Sequence, residues 1–382
     1  MTHDIVVERL TTTEGFSSMR GEWNSLLAAS PANTVFLRWE WLFEWWKAYV
    51  SPELSLSVML VKKRGLLIGI GPFYLTKGAG KSVFSNACMM FLGTKPGCVI
   101  SEYMDIIYGE RDRDEVISAI IAYTVERGLC SEMLLQNIPS DSRSLLALEK
   151  YSQANKLSYL TVAEKTSPYI KLPTPYSYEE FLEARGGTLR RKIKTEQRKL
   201  SRLNGVILRR TESRDELGRD YAELVRLHVA RWKAMDMNGA FSDPLFSAFQ
   251  REVCGQMLDC GFLELGFISV SGRNIAAIYN LNYNGKVYYY QSGIDMDFNR
   301  SMSPGLLLHS LSIRGAIDAG ATEYDFMISG PDDAYKKTWT NDTHCLCDVY
   351  IATPGVMKIA MLAKGAKAGI KRLFENLSGT RH

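Results

Sequence analysis

The segment VYYYQSGIDMDFNRSMSPGLLLHSL, Val287–Leu311, combines a strand, a loop and an abrupt helix start. Its consecutive tyrosines favour a strand, and Gly293 allows that strand to end, bulge or be approached closely by another chain. Ser303 is a good N-cap and Pro304 a good first helical residue, because proline lacks only an N–H that would be unpaired there. We therefore predict an interrupted strand followed by an open helix N-terminus.

An open helix N-terminus is a site where phosphate binds favourably. The helix dipole contributes about 0.3 to 1 kcal/mol, and free N–H groups add direct hydrogen bonds. We expect the N–H groups of Gly305, Leu306 and Leu307 to point outward, with Gly305 keeping side-chain bulk away. A well-capped helix that binds nothing is the alternative interpretation.

Two stretches of the chain share one strand-pair design with a glycine in the turn. They are LSVMLVKKRGLLIGIGPFYL, Leu56–Leu75, and LELGFISVSGRNIAAIYNLNY, Leu263–Tyr283. When Val61 is aligned with Ile268, Gly65 falls on Gly272 and Ile68 falls on Ile275. The match predicts an internal repeat.

The repeat continues beyond the strand pairs. In each half a helical stretch is closed by a glycine, Gly128 or Gly320, and is followed by another strand. The predicted fold class is therefore α/β (α+β), with two tandem domains that each hold a mixed central sheet. We place the domains at residues 1–165 and 166–382, with a proline-rich connector at the boundary and a capping box, Ser177 with Glu180, just after it.

Composition restricts the classes of function. With 382 residues, 46% of them apolar and 23% charged, the chain is long enough for two globular cores. A net charge of +4 is too mild to indicate nucleic acid by itself. The N-terminus MTHDIVVERL does not resemble a secretory signal and no apolar run reaches bilayer length, so we expect a cytoplasmic protein.

The cysteines give no sign of disulfides or of a metal site. Seven cysteines are scattered without a CxxC motif, which is typical of reduced thiols. Cys345, Cys347 and nearby His344 could suggest a metal, but alternate strand residues face opposite sides and no second ligand pair is in view. We expect no metal.

The two halves differ in charge where the repeated helix begins. The N-terminal copy begins after GERDRDEV, whose carboxylates suit a helix dipole but repel phosphate. The C-terminal copy begins with Ser-Pro-Gly. We therefore expect the C-terminal domain to hold any phosphorylated cofactor and the N-terminal domain to be a degenerate copy without one.

The interrupted strand and its loop are followed by the SPG helix, the strand TEYDFMISG and then AYKKTW. This order of elements resembles that of the acyltransferases of the GNAT superfamily. The chain looks closest to the CelD-like branch of bacterial polysaccharide synthesis and is more distantly similar to the Fem-type peptidoglycan aminoacyltransferases; FLRWEWLFEWWKAY and LRRKIKTEQRKL also look like that branch. The usual Gln/Arg-x-x-Gly-x-Gly/Ala pyrophosphate signature is absent, and RSMSPG stands in its place.

The resemblance implies a donor site between two splayed strands. Acyl-CoA, as acetyl-CoA or a longer thioester, would lie between Val287–Ser292 and Glu323–Ile328, with its pyrophosphate at the start of the next helix. The implied donor-binding residues are Tyr290, Gln291, Ser292, Gly293, Ser303, Pro304, Gly305, Leu306 and Leu307.

Acyl transfer needs a nucleophile, oxyanion stabilisation and a leaving thiolate. A backbone N–H near Ser292 or Gly293 is a candidate oxyanion donor. Asp325 could accept the nucleophile's proton or could be a structural aspartate, and Tyr335 could protonate the thiolate or simply pack. Resemblance to the Fem-type group suggests that Lys336 stabilises charge near the transferred carbonyl. We expect His228, on an apolar-spaced helix, to be a satisfied buried residue rather than a base.

Two segments suggest partners. Residues 188–203 predict a basic helix, either solvated or in contact with CoA phosphates, an anionic glycan or lipid precursor, or a charged tRNA. The tail PGVMKIAMLAKGAKAGIKRLFENLSGTRH could lie on an anionic membrane surface or pack on its own domain.

The sequence thus favours an acyltransferase that acts on an amine or hydroxyl of a sugar, a lipid-linked intermediate or another cell-envelope or exopolysaccharide precursor. It would work in the cytoplasm, with contact at the inner membrane surface as an option. The alternatives are an aminoacyl-tRNA-dependent transferase and a non-catalytic scaffold of a polysaccharide-synthesis assembly.

Overall fold

A computed structural model describes residues 4–77, 87–95, 100–298, 301–330 and 335–353. The chain divides into two compact units. One comprises residues up to Thr166 together with the chain from His344 onward, and the other runs from Ser167 to Thr343. The proposed tail segment on a membrane surface, from residue 354, lies outside the described residues. Among the described helices, none combines the length and hydrophobicity needed to span a bilayer.

The first unit contains a mixed sheet in the order β1-β2-β3-β4-β6-β13, with β5 paired to β3. Neighbours are antiparallel except for β4 and β6. Its elements are β1 (Ile5–Leu10), α1 (Thr13–Ser17), α2 (Arg20–Ala28), α3 (Trp39–Tyr49), β2 (Leu54–Lys63), β3 (Leu66–Thr76), β4 (Cys88–Phe91), β5 (Ile107–Tyr108), α4 (Arg113–Glu126), β6 (Glu132–Pro139), α5 (Arg143–Ala154), β7 (Ser158–Lys171), which leads into the second unit, and finally β13 (Thr343–Ala352).

The second unit contains a mixed sheet in the order β7-β12-β11-β10-β9-β8. Only the pair β11 and β12 is parallel. Its elements are α6 (Tyr178–Ala184), α7 (Gly187–Ser201), β8 (Val206–Arg210), α8 (Arg214–Lys233), α9 (Pro244–Asp259), β9 (Leu263–Val270), β10 (Arg273–Tyr283), β11 (Lys286–Ile294), α10 (Pro304–Asp318) and β12 (Glu323–Asp325).

The two sheets confirm the mixed α+β fold class, and their hairpins repeat one another in detail. Both turns place two residues at positive φ: Arg64 and Gly65 in the first unit, Ser271 and Gly272 in the second. Both hairpins also carry a bulge. The extra residue is Ile68 in the first, between the pairs Val61–Gly69 and Lys62–Leu67, and Ile275 in the second, between Ile268–Ala276 and Ser269–Asn274. The sequence alignment of Gly65 with Gly272 and of Ile68 with Ile275 therefore matches equivalent turn and bulge positions in the structure.

A parallel strand pair follows each hairpin. In the first unit β4 pairs with β6 over three residues, and in the second β11 pairs with β12 over three residues. In each case the strand pair is connected through a helix that ends in a glycine at positive φ, Gly128 or Gly320. Glycine adopts this conformation without a side-chain penalty.

The short pairing of β11 with β12 opens the second sheet. The two strands bond at Lys286–Glu323, Val287–Tyr324 and Tyr288–Asp325, and the pairing ends there. β11 continues to Ile294 against β10, with Tyr290 as the extra residue of a bulge opposite Tyr279 and Asn280. The predicted separation of these two strands is present.

Capping residues set where α6 and α10 begin, and burial sets how α3 packs. The capping box of Ser177 and Glu180 forms at α6 as expected, and Pro304 begins α10. The tryptophan-rich helix α3 packs inward, since Trp41 and Trp45 are almost fully buried. These aromatic side chains therefore form core in the first unit.

Candidate functional site

A cavity of about 690 Å³ lies in the second unit beside the part of β11 that follows its pairing with β12. Its walls come from α8, β11, the loop after β11, the first turns of α10 and the segment around residues 335–339. The residues that line it are Arg231, Ala234, Met235, Tyr289, Ser292, Ile294, Asp295, Met296, Asp297, Met302, Ser303, Pro304, Gly305, Leu306, Leu308, His309, Tyr335, Thr338 and Trp339.

Only part of the predicted donor-binding set lines this cavity. Ser292 and the helix-start residues Ser303, Pro304, Gly305 and Leu306 do so, together with Tyr335. Tyr290, Gln291, Gly293 and Leu307 are not among the lining residues. The structure therefore assembles the helix start and one strand residue, but not the whole predicted strand.

The remaining strand residues have other surroundings. The Tyr290 hydroxyl accepts a hydrogen bond from Gln250 at 3.0 Å, and its ring lies near Phe246 and Tyr279. A Cβ atom added at Gly293 would lie 2.5 Å from Leu227 Cβ and 2.7 Å from the His228 backbone nitrogen. The close approach that Gly293 permits is therefore that of helix α8.

The start of α10 is less open than the sequence suggested. The N–H groups of Leu306 and Leu307 both donate to the Ser303 carbonyl, at 3.0 and 3.2 Å, because the first turn closes on itself. The expectation that both point outward is wrong. The N–H of Gly305 has no acceptor among the described residues, so it is the donor left for a ligand.

A carboxylate lies at the same helix start. Glu196 on α7 accepts the Ser303 N–H at 2.8 Å and pairs with Lys199 at 2.6 Å. Lys199 also donates to the Ser301 carbonyl. This network ties the basic helix α7 to the loop before α10 and leaves Lys199 close to the helix start.

The predicted catalytic residues occupy different positions. Tyr335 lines the cavity. Lys336 is buried, and its Nζ donates to the carbonyl oxygens of Met327 and Ile328 at 3.2 and 2.9 Å. Asp325 is fully buried, and its Oδ1 accepts from the Ser167 hydroxyl at 2.6 Å and from the Met327 N–H at 2.7 Å. Neither Asp325 nor Lys336 is among the lining residues.

Sequence reasoning missed a polar cluster on the cavity wall. The Ser292 hydroxyl is within 2.6 Å of the Tyr289 hydroxyl and accepts a hydrogen bond from Arg231 at 3.1 Å. His228, on the same helix as Arg231, has its Nδ1 2.9 Å from the Ser292 carbonyl. Arg231 is far from Tyr289 and Ser292 in the sequence, so no local pattern predicts their contact. Only the packing of α8 on β11 brings them together.

His309 is another residue that the sequence analysis overlooked. It is buried on α10, with Nδ1 3.0 Å from the Tyr324 hydroxyl and its ring 4.5 Å from that of Tyr289. Burial, reinforced by the positive charges of Lys336 and Arg231, lowers the pKa of His309 to about 3. Burial also lowers the pKa of His228 to about 4. Both imidazoles are neutral at pH 7.

These lowered pKa values predict acid sensitivity. An unfolded histidine binds a proton below its usual pKa near 6.5, whereas folded His228 and His309 do not until about pH 4 and 3. Stability is therefore retained above pH 6.5 and lost as pH falls. When the pH is lowered from 7.5 to 5.5, each histidine should lower the free energy of unfolding by about 1.4 kcal/mol.

Urea unfolding at the two pH values measures this loss. A His309→Gln variant should lose about 1.4 kcal/mol less than the wild type over the same interval, because one of the two proton uptakes is removed. An identical pH dependence in the two proteins would contradict the assignment of a neutral, buried His309.

Residues 187–337 match the family model for the acetyltransferase (GNAT) domain. These residues lie within the second unit, which is therefore similar to a GNAT domain over most of its length. A search of curated proteins finds no match. The narrower resemblance to the CelD-like branch stays a prediction.

Solved structures of similar fold cover most of the chain. FemX matches with a TM-score of 0.62 and 13% identity, covering 93% of this chain and 99% of that chain. The L-PGS of Bacillus licheniformis matches with a TM-score of 0.53 and 10% identity, covering 94% and 97%. The C-terminal domain of a putative lysylphosphatidylglycerol synthetase from Agrobacterium fabrum matches with a TM-score of 0.52 and 11% identity, covering 92% and 96%. At these identities the likeness concerns the fold.

Proposed function

We propose that the chain is an acyltransferase that moves an acyl group from acyl-CoA to an amine or hydroxyl acceptor. The observation that carries the proposal is the cavity beside β11, past the end of its pairing with β12, which reaches the start of α10. An extended thioester arm suits a cavity beside a strand that has lost its neighbour. Its phosphates suit a helix N-terminus.

The reaction makes modest demands on side chains. The acceptor attacks the thioester carbonyl, a C–N or C–O bond forms, the C–S bond breaks, and the proton of the nucleophile ends on the thiolate. Positioning supplies much of the rate, and donors aimed at the tetrahedral oxyanion supply more. Tyr335 lines the cavity and can donate its phenolic proton to the thiolate. Lys336 fixes the backbone of Met327 and Ile328 beside the second strand.

Charge around the cavity supports an anionic donor. Arg231 supplies a cation on the wall. Of the two acidic lining residues, Asp295 is paired with Arg273 at 2.6 Å and Asp297 is exposed to solvent. Beside the helix start, α7 exposes the basic side chains of Arg191, Lys192, Lys194 and Arg198. These charges offset the carboxylate of Glu196 and can attract a phosphorylated ligand.

The acceptor that we propose is a sugar or lipid-linked precursor of the cell envelope or of an exopolysaccharide, modified in the cytoplasm at or near the inner membrane. A second candidate donor is an aminoacyl-tRNA, as the resemblance to Fem-type transferases implies. The basic face of α7 favours that candidate, because a row of exposed cations suits a nucleic-acid backbone.

A thermal-shift screen tests the donor. Acetyl-CoA or a longer acyl-CoA should raise the melting temperature, because a ligand that binds only the folded state stabilises it. A shift with aminoacyl-tRNA instead of acyl-CoA would support the second candidate. No shift with either would contradict both and favour a scaffold.

Substitution of Gly305 locates the donor. Gly305→Asp should weaken acyl-CoA binding roughly tenfold to a hundredfold, because a carboxylate at the helix start repels phosphate. Gly305→Ala is the matched control. Both variants place a Cβ 3.0 Å from the flexible end of the Ile294 side chain, but alanine adds no charge. Equal affinity of the Asp and Ala variants would place the phosphates elsewhere.

A further inference from the structure

His309 presents one ring nitrogen to the cavity. Its Nδ1 lies 3.0 Å from the Tyr324 hydroxyl, and the ring forms part of the cavity wall. Its Nε2 has no hydrogen-bond partner among the described residues, yet it is not enclosed by protein as the Nε2 of His228 is. Nε2 is therefore the atom of His309 that a ligand can reach.

Tyr324 fixes which nitrogen of His309 carries the proton. Its side chain is fully buried, and its hydroxyl has one hydrogen-bond partner among the described residues, His309 Nδ1 at 3.0 Å. Burial raises the pKa of Tyr324 well above its usual value, so the hydroxyl keeps its proton.

A buried hydroxyl proton without an acceptor is costly. Tyr324 therefore gives its proton to His309 Nδ1, the one acceptor that its hydroxyl meets. With Nδ1 as an acceptor, a neutral imidazole carries its proton on Nε2.

We propose that His309 is a catalytic residue whose Nε2–H donates a hydrogen bond to the carbonyl oxygen of the transferred acyl group. This inference rests on the proposed acyl transfer. Nucleophilic attack converts the carbonyl into an oxyanion, and collapse of the oxyanion expels the thiolate, while His309 keeps its proton throughout. Tyr324 is a positioning residue, because it acts only through the His309 tautomer.

The electrostatics of the cavity agree with this role. A neutral imidazole that stays neutral far below pH 7 acts as a polarising donor rather than as a base. Arg231 and Lys336 contribute positive potential around His309. The same potential stabilises negative charge that develops on a nearby oxygen.

The other buried histidine of this unit provides an internal reference. His228 Nδ1 faces the Ser292 carbonyl at 2.9 Å, and a carbonyl can only accept. His228 therefore carries its proton on Nδ1, and its buried Nε2 is bare. The two histidines should be opposite tautomers in one protein.

Nitrogen NMR of the full chain with ¹⁵N-labelled histidine tests the tautomers. His309 should show a protonated Nε2 and a bare Nδ1, and His228 the reverse, with His309→Gln and His228→Gln identifying the signals. Tyr324→Phe should abolish the preference at His309 and leave His228 unchanged. A protonated Nδ1 at His309 in the wild type would overturn the proposal.

Calorimetric binding of two ligands tests the contact with the acyl oxygen. One ligand is CoA, and the other is a ketone analogue of acetyl-CoA with a methylene between carbonyl and sulfur. His309→Leu should weaken the ketone analogue roughly threefold to tenfold and leave CoA unchanged, since one hydrogen bond is lost. His309→Gln, whose amide is also a donor, should restore part of the difference.

The outcomes separate this inference from the proposed function. If both ligands bind the wild type and His309→Leu weakens neither selectively, the role of His309 is refuted while acyl-CoA binding stands. If neither ligand binds the wild type, the acyl-CoA donor and the role of His309 both fail.

Discussion

Replacement of Gly293 by valine should destabilise the second unit by about 3 kcal/mol or more. A Cβ at this position would lie 2.5 Å from Leu227 Cβ, 2.7 Å from the His228 nitrogen and 2.8 Å from the Leu227 carbonyl carbon. Two of these three atoms are helix backbone, which cannot rotate away. The strand and helix α8 would have to move apart.

Urea unfolding of Gly293→Val and of Gly218→Ala measures the effect. Gly218 lies within α8, and a Cβ atom added there would meet open space, so alanine should be neutral or stabilise the helix by up to about 1 kcal/mol. Separation of α8 from β11 would also break the bond between His228 and the Ser292 carbonyl. If Gly293→Val lowers the free energy of unfolding by less than about 1 kcal/mol, α8 and β11 can move apart at little cost, and the prediction is wrong.

Gly293 also shows what the sequence could and could not reveal. A glycine at a strand interruption correctly indicated that another chain approaches closely. The sequence did not reveal whether that chain is a ligand or a helix, because the packing of α8 on β11 depends on residues far apart along the chain. The interpretation as a ligand contact was the simpler one, and the contact with Leu227 and His228 replaces it.

Features set by local backbone chemistry were predictable. The turns at Gly65 and Gly272 and the helix start at Pro304 follow from residues within a few positions of one another. The repeat could be aligned because the same turn and the same bulge recur at the same spacing. By contrast, the pairing of β13 with β6 joins residues some two hundred positions apart, and sequence pattern alone placed that strand with the second domain.

The side chains of the site were harder to predict than its backbone. His309 sits within LLLHSL and by pattern is one polar residue in an apolar helix. Its importance depends on Tyr324 from the next strand and on a cavity beside it. Arg231 likewise reaches Ser292 only through tertiary packing. Neither contact has a local sequence signal.

Asp325→Ala should destabilise the second unit by about 2 to 4 kcal/mol, whereas Asp325→Asn should be tolerated. Asp325 is fully buried, and its Oδ1 accepts from the Ser167 hydroxyl and the Met327 N–H. Alanine removes the shared acceptor and leaves two buried donors unsatisfied. Asparagine keeps an oxygen in the same place, so both hydrogen bonds can persist.

The same pair of variants distinguishes a structural aspartate from a general base. Removal of a base lowers the rate by about 10² to 10⁴ even in a folded protein, whereas loss of a structural contact mainly lowers stability. Because Asp325 does not line the cavity, we expect Asp325→Asn to retain acyl transfer within about tenfold of the wild type, when measured with the acyl-CoA that gives the largest thermal shift. Urea unfolding of both variants measures their free energies of unfolding, which show the structural contribution of Asp325. A stable, folded Asp325→Asn protein with a hundredfold lower rate would restore the role of base, because asparagine keeps the acceptor oxygen but cannot take up a proton.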